Sequence, residues 1–515
     1  MKDMRSRTAD DTRRVFLDID SLSQWDRGLM QRFPQAEKFA ITGVEPGPED
    51  SCDACCANYA TVLQEGGRFR MWYCAQPKKQ SYAENADHWF ICYAESEDGI
   101  HWVKPDLGIT GQHRYPGNNL LALPGSCQGV VRALPGSQFK YLSVCIQSAP
   151  LEPDITDIPG NAYDGGGTFI FGSDDGLHWR QLAKVVCHGD AASLYTDAAA
   201  GRYLLYQKAG LIHGLRTRRC IIGLESRDGI HWEGYDGLPY GAHKWRECFM
   251  ADDYDDVIAS QRGFDLADHY GVVVHRVGEL YVAVENIFTM GLPIGLRFGQ
   301  NPGGLGHFRL AFSHNAVNWR RPKGRPAWLE LGQPGEFDAG FMVPGMNFLE
   351  QGDEVWMYYS GCPFEHGMGL NQDFSLDTNV PLSDYFGLWK IGLIKIKRDR
   401  YASLAATYIS RFDMDPDAHG SAPLFIHPEH PQLFINACCP HGAIRVALGE
   451  RGKQDNLPGF SFEDCVPVAG DSVRVPVRFR NRSMADIPPG KAFSLRFEIS
   501  RGEIFGYEFG PSQSG

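Results

Sequence analysis

A seven-residue motif, Ser-x-Asp-Gly-x-x-Trp, occurs three times in this chain and constrains its fold more than any other feature. The copies cover residues 96–102, 173–179 and 226–232, and a fourth, with Asn-Ala in place of Asp-Gly, covers 313–319. Asp-Gly favours a tight hairpin turn, because glycine adopts positive φ at little cost, and the Trp can fix the next strand by burial. The long and uneven spacing predicts whole supersecondary units joined by variable loops, not a short-period solenoid.

A second motif, a turn followed by an aromatic-rich strand, recurs between the hairpins. It covers residues 67–73, 138–142, 201–206, 278–282 and 353–359. Together the two motifs predict units built as strand, turn, aromatic strand, turn, strand, Asp-Gly hairpin and Trp strand. About four antiparallel strands per unit is the build of a propeller blade, and five aromatic strands predict five blades.

The remaining sequence predicts one region on each side of the blades, in an all-β chain. We expect a polar, helical lead-in over residues 1–45, with Phe16, Leu17 and Leu22 available to dock it, and a five-bladed β-propeller over 46–410. A breaker-rich linker follows. Beyond it we expect a small C-terminal β-sandwich over 420–515, with alternating strands at 432–437, 443–448, 472–477 and 493–499.

The composition limits the classes of partner. A net charge of −13 argues against nucleic acid or an anionic membrane as the main partner and is more compatible with a neutral or polar small substrate. Residues 1–18 carry no apolar signal-peptide core, and no stretch approaches the roughly 18 apolar residues of a membrane helix. The 14 cysteines are scattered, and the CxxC at 52–55 has no second pair to complete a zinc site. We therefore expect a cytoplasmic protein with reduced thiols and no metal site.

The hairpin motif, the five blades and the C-terminal sandwich together resemble the five-bladed propeller glycosidases. These are the invertase, levanase and arabinanase-like families, numbered 32, 43 and 68 among glycoside hydrolases, and in particular uncharacterised family 32-like proteins with an appended β-sandwich. The resemblance covers nearly the whole chain. It implies a glycosidase that hydrolyses O-glycosyl bonds in an oligosaccharide or glycoside.

The resemblance also implies roles for two carboxylates. In the invertase group a Glu-Cys acid/base follows a Ser-x-Asp-Leu-x-x-Trp hairpin, and an Arg-Asp-Pro stretch opens the preceding blade. Here Glu247-Cys248 follows the third hairpin, and Asp190 opens the blade before it. Glu247 would be the acid/base, and Asp190 would steady the charged sugar ring. The chain departs from the family pattern in having Gly189 and Ala191 beside Asp190 and in lacking the N-terminal Trp-Met-Asn-Asp-Pro nucleophile motif; Asp53 lies a few residues ahead of its counted place.

The chemistry of glycoside cleavage leads to a similar choice of residues. It needs two carboxyl groups facing each other across the bond, and the inner strands of a propeller converge on one mouth. Acidic residues just ahead of first strands are therefore of interest, and Asp268 and the run 252–256 join the set, although such a run is most often a solvated loop. Our catalytic candidates are Asp190, Glu247, Asp338 and Asp53. For each, a capped turn or a plain loop residue is the alternative.

Four further residues are candidates for substrate binding, namely Arg218, Trp245, Glu336 and His366. Arg218, with Arg216 and Arg219, would face an anionic sugar or phosphate, or form a charged strand edge. In the arabinanase-like families a His from the region of His366 lies near an ion in the central channel, so a structural cation there is the one exception to a chain without cofactors. The Asp and His residues of the hairpin copies are predicted to be structural.

Three functions remain open from the sequence. The leading hypothesis is hydrolysis by paired carboxylates at the central pocket. The first alternative is a glycoside phosphorylase or transglycosidase on the same scaffold, and the second is a non-catalytic carbohydrate-binding propeller. Two or three carboxylates within reach would favour hydrolysis, an added Arg/Lys/His cluster phosphorolysis, and aromatic residues alone binding. We expect Asp190 and Glu247 at one mouth, with Glu247 as the proton donor of raised pKa and Asp190 ionised.

Overall fold

The computed structural model describes most of the chain and is almost entirely β. The described residues are 13–20, 22–41, 44, 46–48, 50–54, 56–77, 89–110, 115, 117–123, 125–147, 167–185, 191–213, 216–234, 247–291, 303–366, 389–414, 424–426, 429–450, 453–488 and 490–511. Within them there is one α-helix, α1 (Asp253–Gln261), so the all-β prediction is confirmed. No helix among these residues is long and apolar enough to cross a membrane.

The strands fall into an N-terminal group and five successive units of antiparallel strands, the last two of which are joined into one eight-stranded sheet by a parallel pair, Gly306 with Phe341. The N-terminal strands are β1 (Arg14–Val15), β2 (Leu22–Trp25), β3 (Leu29–Arg32) and β4 (Glu37–Ile41). Unit 1 contains β5 (Cys56–Glu65), β6 (Arg68–Gln76) and β7 (Phe90–Ser96). Unit 2 contains β8 (Ser126–Arg132), β9 (Tyr141–Gln147), β10 (Gly167–Ser173) and β11 (Arg180–Val185). Unit 3 contains β12 (Ala192–Asp197), β13 (Arg202–His213), β14 (Arg216–Ser226), β15 (Glu233–Gly234) and β16 (Glu247–Met250), and the last two both pair with β14.

The fourth and fifth units follow α1. Unit 4 contains β17 (Leu266–Val277), β18 (Leu280–Met290), β19 (Gly304–Ser313) and β20 (Ala327–Leu329). Unit 5 contains β21 (Phe341–Gln351), β22 (Glu354–Cys362) and β23 (Lys390–Lys397), and β4 supplies its fourth strand. The first strands contact one another in the order β5, β8, β12, β17 and β21, and β21 contacts β5 again. A closed ring of first strands is what a propeller requires.

The hairpin motif folds in the same way each time it occurs. In the first copy Ser96 Oγ accepts a hydrogen bond from the N–H of Gly99 at 2.9 Å, and Asp98 Oδ1 accepts from Ile100 and His101, each at 2.8 Å. His101 Nδ1 lies 2.7 Å from Asp98 Oδ2, and these bonds hold the pKa of Asp98 well below its usual range. The same bonds recur at Asp175 and Asp228. Their predicted structural role is confirmed.

The tryptophans that end the hairpins are less uniform than we expected. Trp179 is buried, but Trp102, Trp232 and Trp319 are partly exposed. In three copies the indole N–H donates back to its own turn, as from Trp179 to the Gly176 carbonyl at 3.2 Å. The Trp therefore fastens the turn itself as well as the strand that follows.

Past unit 5 the chain forms a single hydrogen-bonded sheet of nine strands. The strands that it adds are β24 (Ser403–Ala406), β25 (Ser410–Met414), β26 (Gln432–Glu450), β27 (Val468–Pro476), β28 (Phe493–Ser500) and β29 (Gly502–Gly510). β26 pairs with β29 through its first half and with β28 through its second, which makes the sheet continuous. The order is β2-β25-β28-β26-β29-β24-β3, with β1 on β29 and β27 on β26. A division into two packed sheets stays a prediction.

The prediction of a helical lead-in is wrong for the N-terminal residues that the structure describes, which form strands. Strands β1, β2 and β3 belong to the C-terminal sheet, where Arg14 pairs with Tyr507, and β4 belongs to unit 5. Phe16, Leu17 and Leu22 are buried as docking residues. Such short strands gain their stability from pairing with distant chain, which local sequence does not show. The sheet also takes in β24 and β25, which precede the expected boundary at 420.

Candidate functional site

Two of the predicted site residues, Asp190 and Trp245, lie outside the described residues. The other six can be placed. Glu247 is exposed at the first position of β16. Glu336 is also exposed, and its Oε2 accepts a hydrogen bond from the N–H of Gln333 at 2.7 Å, so it caps the loop that leads to β21.

Asp53 and Asp338 occupy equivalent, buried positions in adjacent units. Asp338 accepts a hydrogen bond from the Tyr359 hydroxyl at 2.8 Å and pairs with Lys38 at 2.7 Å. Asp53 accepts from the Tyr73 hydroxyl at 2.9 Å and pairs with Lys104 at 2.5 Å. Tyr73 and Tyr359 have the same place in the aromatic-strand motif. Each carboxylate thus fastens the loop ahead of its own first strand, which is the plain loop role that we weighed against catalysis.

A different carboxylate, that of Asp268, is buried beside two arginines. Asp268 is on β17, the first strand of unit 4, and only 3% of its surface is exposed. Arg218 Nε lies 3.4 Å from Asp268 Oδ1, and an Arg219 guanidinium nitrogen lies 3.6 Å from Oδ2. Burial raises the pKa of Asp268 above its ordinary value, although a backbone hydrogen bond from Arg219 and the charges of both arginines oppose this.

Aromatic side chains form a surface beside Asp268. Phe288 is paired with Asp268 in the β17–β18 register and lies against Tyr270, with ring centroids 6.0 Å apart. The His366 ring lies 4.9 Å from that of Phe288, and His366 Nε2 lies 3.4 Å from the Tyr270 hydroxyl. His366 therefore packs against Phe288, which is the cross-strand partner of Asp268.

Two cations complete this group by stacking on the aromatic rings. The Arg219 guanidinium lies 5.2 Å from the Phe288 ring centroid, and Lys208 Nζ lies 3.8 Å from that of Tyr270. We name the group the mouth cluster: Lys208, Arg219, Asp268, Tyr270, Phe288 and His366. It unites residues of β13, β14, β17 and β18 with the bridge that pairs His366 with Gly304.

Cys220 follows Arg219 on β14 and relates Glu247 to this cluster. The pKa of the Cys220 thiol is raised to about 12 by burial and then by the negative charges of Glu247 and Asp268. Cys220 pairs with Met250 in the β14–β16 register, which places β16 beside it. The charges of both carboxylates therefore raise the pKa of the same thiol, Glu247 from an exposed position and Asp268 from a buried one.

The Arg218 guanidinium is bound by other groups of the protein. Its guanidinium makes two hydrogen bonds to Asp256 at 2.7 and 3.1 Å and one to the Ala267 carbonyl at 2.5 Å, besides the contact with Asp268. The residue is 6% exposed. We had selected it as a substrate-binding candidate; its contacts show a residue that holds other protein groups.

Sequence reasoning included Asp268 among the acidic residues of interest but did not select it, and it missed Lys208, Tyr270 and Phe288. A signal was present, since Asp268 interrupts a strand that begins Leu-Ala and an acidic residue in a buried strand needs a partner. The cations and rings around it come from four strands and could not be assembled from local sequence. No group of three or more His, Cys, Asp or Glu side chains in the described ranges could hold a metal ion.

Comparison with known proteins gives no assigned family. No family model matches the chain. Two curated relatives from Mycobacterium tuberculosis strains, "Uncharacterized protein MT1551" and "Uncharacterized protein Rv1502", are 27% identical over 138 residues. That stretch is 26% of this chain and 37% of each relative, so the chain spans little more than a third of the curated relatives that it matches.

Several solved structures similar to this chain are described as glycoside hydrolases. One described as "Glycoside hydrolase" is 14% identical, with 70% of this chain and 92% of that chain covered and a TM-score of 0.42. A GH130-family structure is 13% identical, with 71% and 95% covered and a TM-score of 0.43. The α-L-arabinofuranosidase Arb93A from Fusarium graminearum is 11% identical, with 71% and 99% covered and a TM-score of 0.38. At such TM-scores the likeness decides neither fold nor activity.

Proposed function

We propose that the chain is a five-bladed β-propeller enzyme that cleaves a glycosidic bond at the mouth cluster, with an oligosaccharide or glycoside as its substrate. The five antiparallel units and the closed ring of their first strands support the propeller. One observation carries the activity: the buried carboxyl group of Asp268 lies between two arginines and an aromatic surface at the N-terminal end of a first strand. The contacts of β17 with the first strands β12 and β21 support a site at the ring of inner strands.

Asp268 is the group in the cluster that is suited to donate a proton. A general acid must keep its proton near neutral pH, and burial that raises the pKa of a carboxyl group is the usual means. The pKa of Asp268 is raised by burial. On this proposal the protonated carboxyl group donates its proton to the glycosidic oxygen as the bond between that oxygen and the anomeric carbon breaks, so that the leaving group departs as an alcohol.

Glu247 supplies the second carboxylate. Cleavage also needs a second carboxylate that attacks the sugar or activates water. Glu247 is exposed and acts on the same thiol as Asp268. These roles reverse the expectation that Glu247 is the proton donor. Asp190 keeps its proposed part in stabilising positive charge on the ring, and Tyr270 offers a partly exposed ring on which a sugar can stack.

Phosphorolysis is the second candidate function, and the basic side of the cluster favours it. Lys208 and Arg219 lie on the aromatic surface next to Asp268, where an attacking phosphate would need positive charge. Hydrolysis and phosphorolysis share the acid and differ in the nucleophile. The two are separated by the product, which is a free sugar in the first case and a sugar phosphate in the second.

The experiment that tests the proposal is a screen of oligosaccharides with and without inorganic phosphate, followed by product analysis. Asp268→Asn should lower turnover of any substrate found by about 10²–10⁴-fold, the usual contribution of a general acid, while the fold is kept. Asp353→Asn, which makes the same change at an exposed carboxylate outside the cluster, is the matched control and should retain activity. Full activity in Asp268→Asn would overturn the proposal.

A further inference from the structure

Helix α1 is tied to the strand that carries Asp268. Asp256 on this helix accepts two hydrogen bonds from the Arg218 guanidinium, at 2.7 and 3.1 Å, and a third from the N–H of Ala267 at 3.0 Å. Arg218 in turn reaches the Ala267 carbonyl and Asp268. Asp256, Arg218 and the Ala267–Asp268 peptide thus form a closed ring of contacts between a helix, unit 3 and unit 4.

The helix that presents Asp256 is itself firmly held. Asp252 caps its N-terminus by accepting from the N–H groups of Tyr254 and Asp255, and it also pairs with Arg325 at 2.6 Å. Asp255 is completely buried and pairs with Arg309 at 2.9 Å. The acidic run at 252–256, expected as a solvated loop, is instead the first turn of a helix in which three carboxylates each meet an arginine. Asp256 therefore has a fixed position.

We infer that Asp256 is a positioning residue, which occupies the Arg218 guanidinium and so keeps Asp268 available as a proton donor. This inference rests on the proposed function. Arg218 touches both carboxylates, but its two parallel bonds go to Asp256 and its contact with Asp268 is single and longer. Bidentate pairing is the stronger geometry, so it determines where the guanidinium lies.

Charge explains the consequence for proton donation. The charged and titratable groups around Asp268 are Arg218, Arg219 and Cys220 on β14, Glu247 on β16 and Asp256 on α1, with Tyr270, His366 and Lys208 beyond Phe288. If the charge of Asp256 is removed, Arg218 acts on Asp268 without its counterion. An unopposed cation favours the ionised form of Asp268, which cannot donate a proton.

The test is the pH dependence of kcat/KM on a substrate found as above. Asp256→Asn should move the alkaline limb of the profile to lower pH, because Arg218 then stabilises the ionised form of Asp268 more strongly. We expect a shift of about one pH unit, which corresponds to about a tenfold lower rate on that limb. Asp256→Glu should restore the limb. The control Asp253→Asn removes an exposed charge from the same helix turn and should leave the limb in place. Arg218→Gln should move it the other way, to higher pH.

Equal profiles for Asp256→Asn and Asp253→Asn would overturn the inference. If Asp256→Asn does not fold, Arg218→Gln decides, because a limb that stays or moves to lower pH would overturn it as well. These outcomes differ from failure of the proposed function, in which no substrate is turned over or Asp268→Asn is fully active.

Stability gives a readout that needs no substrate. Because the pKa of Asp268 is raised on folding, the folded state holds its proton more tightly, and that stabilisation is present below the unfolded pKa of about 3.9 and lost as pH rises through the folded pKa. The difference in unfolding free energy between the wild type and Asp268→Asn should therefore depend on pH. In the Asp256→Asn background this dependence should end at a lower pH. An unchanged dependence would contradict the positioning role even in an inactive protein.

Discussion

Single carboxylates in this chain differ in role because their neighbours differ. The hairpin carboxylates, such as Asp98, receive backbone N–H groups and act as turn caps. Asp53 and Asp338 each accept a hydrogen bond from a tyrosine hydroxyl and pair with a lysine, which ties them to the loop ahead of their own first strand. Asp268 is buried with arginines that only partly oppose the rise of its pKa. Residue type and position ahead of a strand are therefore not sufficient to choose the reactive group.

The Lys38–Asp338 pair gives a stability prediction at this scale. Lys38→Met should leave a carboxylate that is 1% exposed without its cation, and should lower the free energy of unfolding by about 2 kcal/mol, a value reduced for the partial exposure of the lysine. Chemical denaturation at neutral pH measures it. Lys104→Met should have a similar effect on Asp53, and Lys323→Met, at an exposed position, almost none. Equal stability of Lys38→Met and Lys323→Met would contradict the structural role of Asp338.

At the scale of elements, the two repeated motifs contact each other across unit boundaries. The Trp72 indole donates to the Gly176 carbonyl at 2.7 Å, so the aromatic strand of unit 1 grips the hairpin of unit 2. Tyr206 donates to Ala316, and Tyr358 to Gly99, each at 2.8 Å, and the last of these joins unit 5 to unit 1. A Cβ on Gly176 would lie 2.8 Å from the Trp72 ring, and its φ of +77° also favours glycine. The two motifs thus contact each other at the boundaries between units 1 and 2, units 3 and 4, and units 5 and 1.

The contact that joins unit 5 to unit 1 can be tested with one hydroxyl group. Tyr358→Phe keeps the ring but leaves the buried Gly99 carbonyl without its donor, and should cost about 1–2 kcal/mol of unfolding free energy. The control is Tyr408→Phe, which removes a hydroxyl from a side chain that is 82% exposed and should be neutral. Thermal and chemical unfolding of the two variants measure the difference. A neutral Tyr358→Phe would show that this bond contributes nothing to closure of the ring.

At the scale of the whole molecule, the sequence was sufficient to predict the repeated elements. It was insufficient to predict the contacts between segments that are far apart in the chain. The hairpins, the aromatic strands and three of the six C-terminal strands, β26, β27 and β28, were predicted, because each has a local motif or an alternating pattern. The N-terminal strands were not, because Arg14 pairs with Tyr507 and Lys38 pairs with Ile394, hundreds of residues away. The mouth cluster was not predicted for the same reason, because Lys208 and Asp268 come from different units. Both depend on long-range contacts that have no local signature.

The most direct test of the central claim, that Asp268 is the proton donor, compares two substrates with the same sugar. One has a poor leaving group and the other an activated aryl leaving group, which needs little protonation. If Asp268 is the proton donor, Asp268→Asn loses far more activity on the substrate with the poor leaving group than on the activated one. Glu247→Gln should lose activity on both alike. The reverse result, with the aryl glycoside spared by Glu247→Gln and not by Asp268→Asn, would contradict the claim.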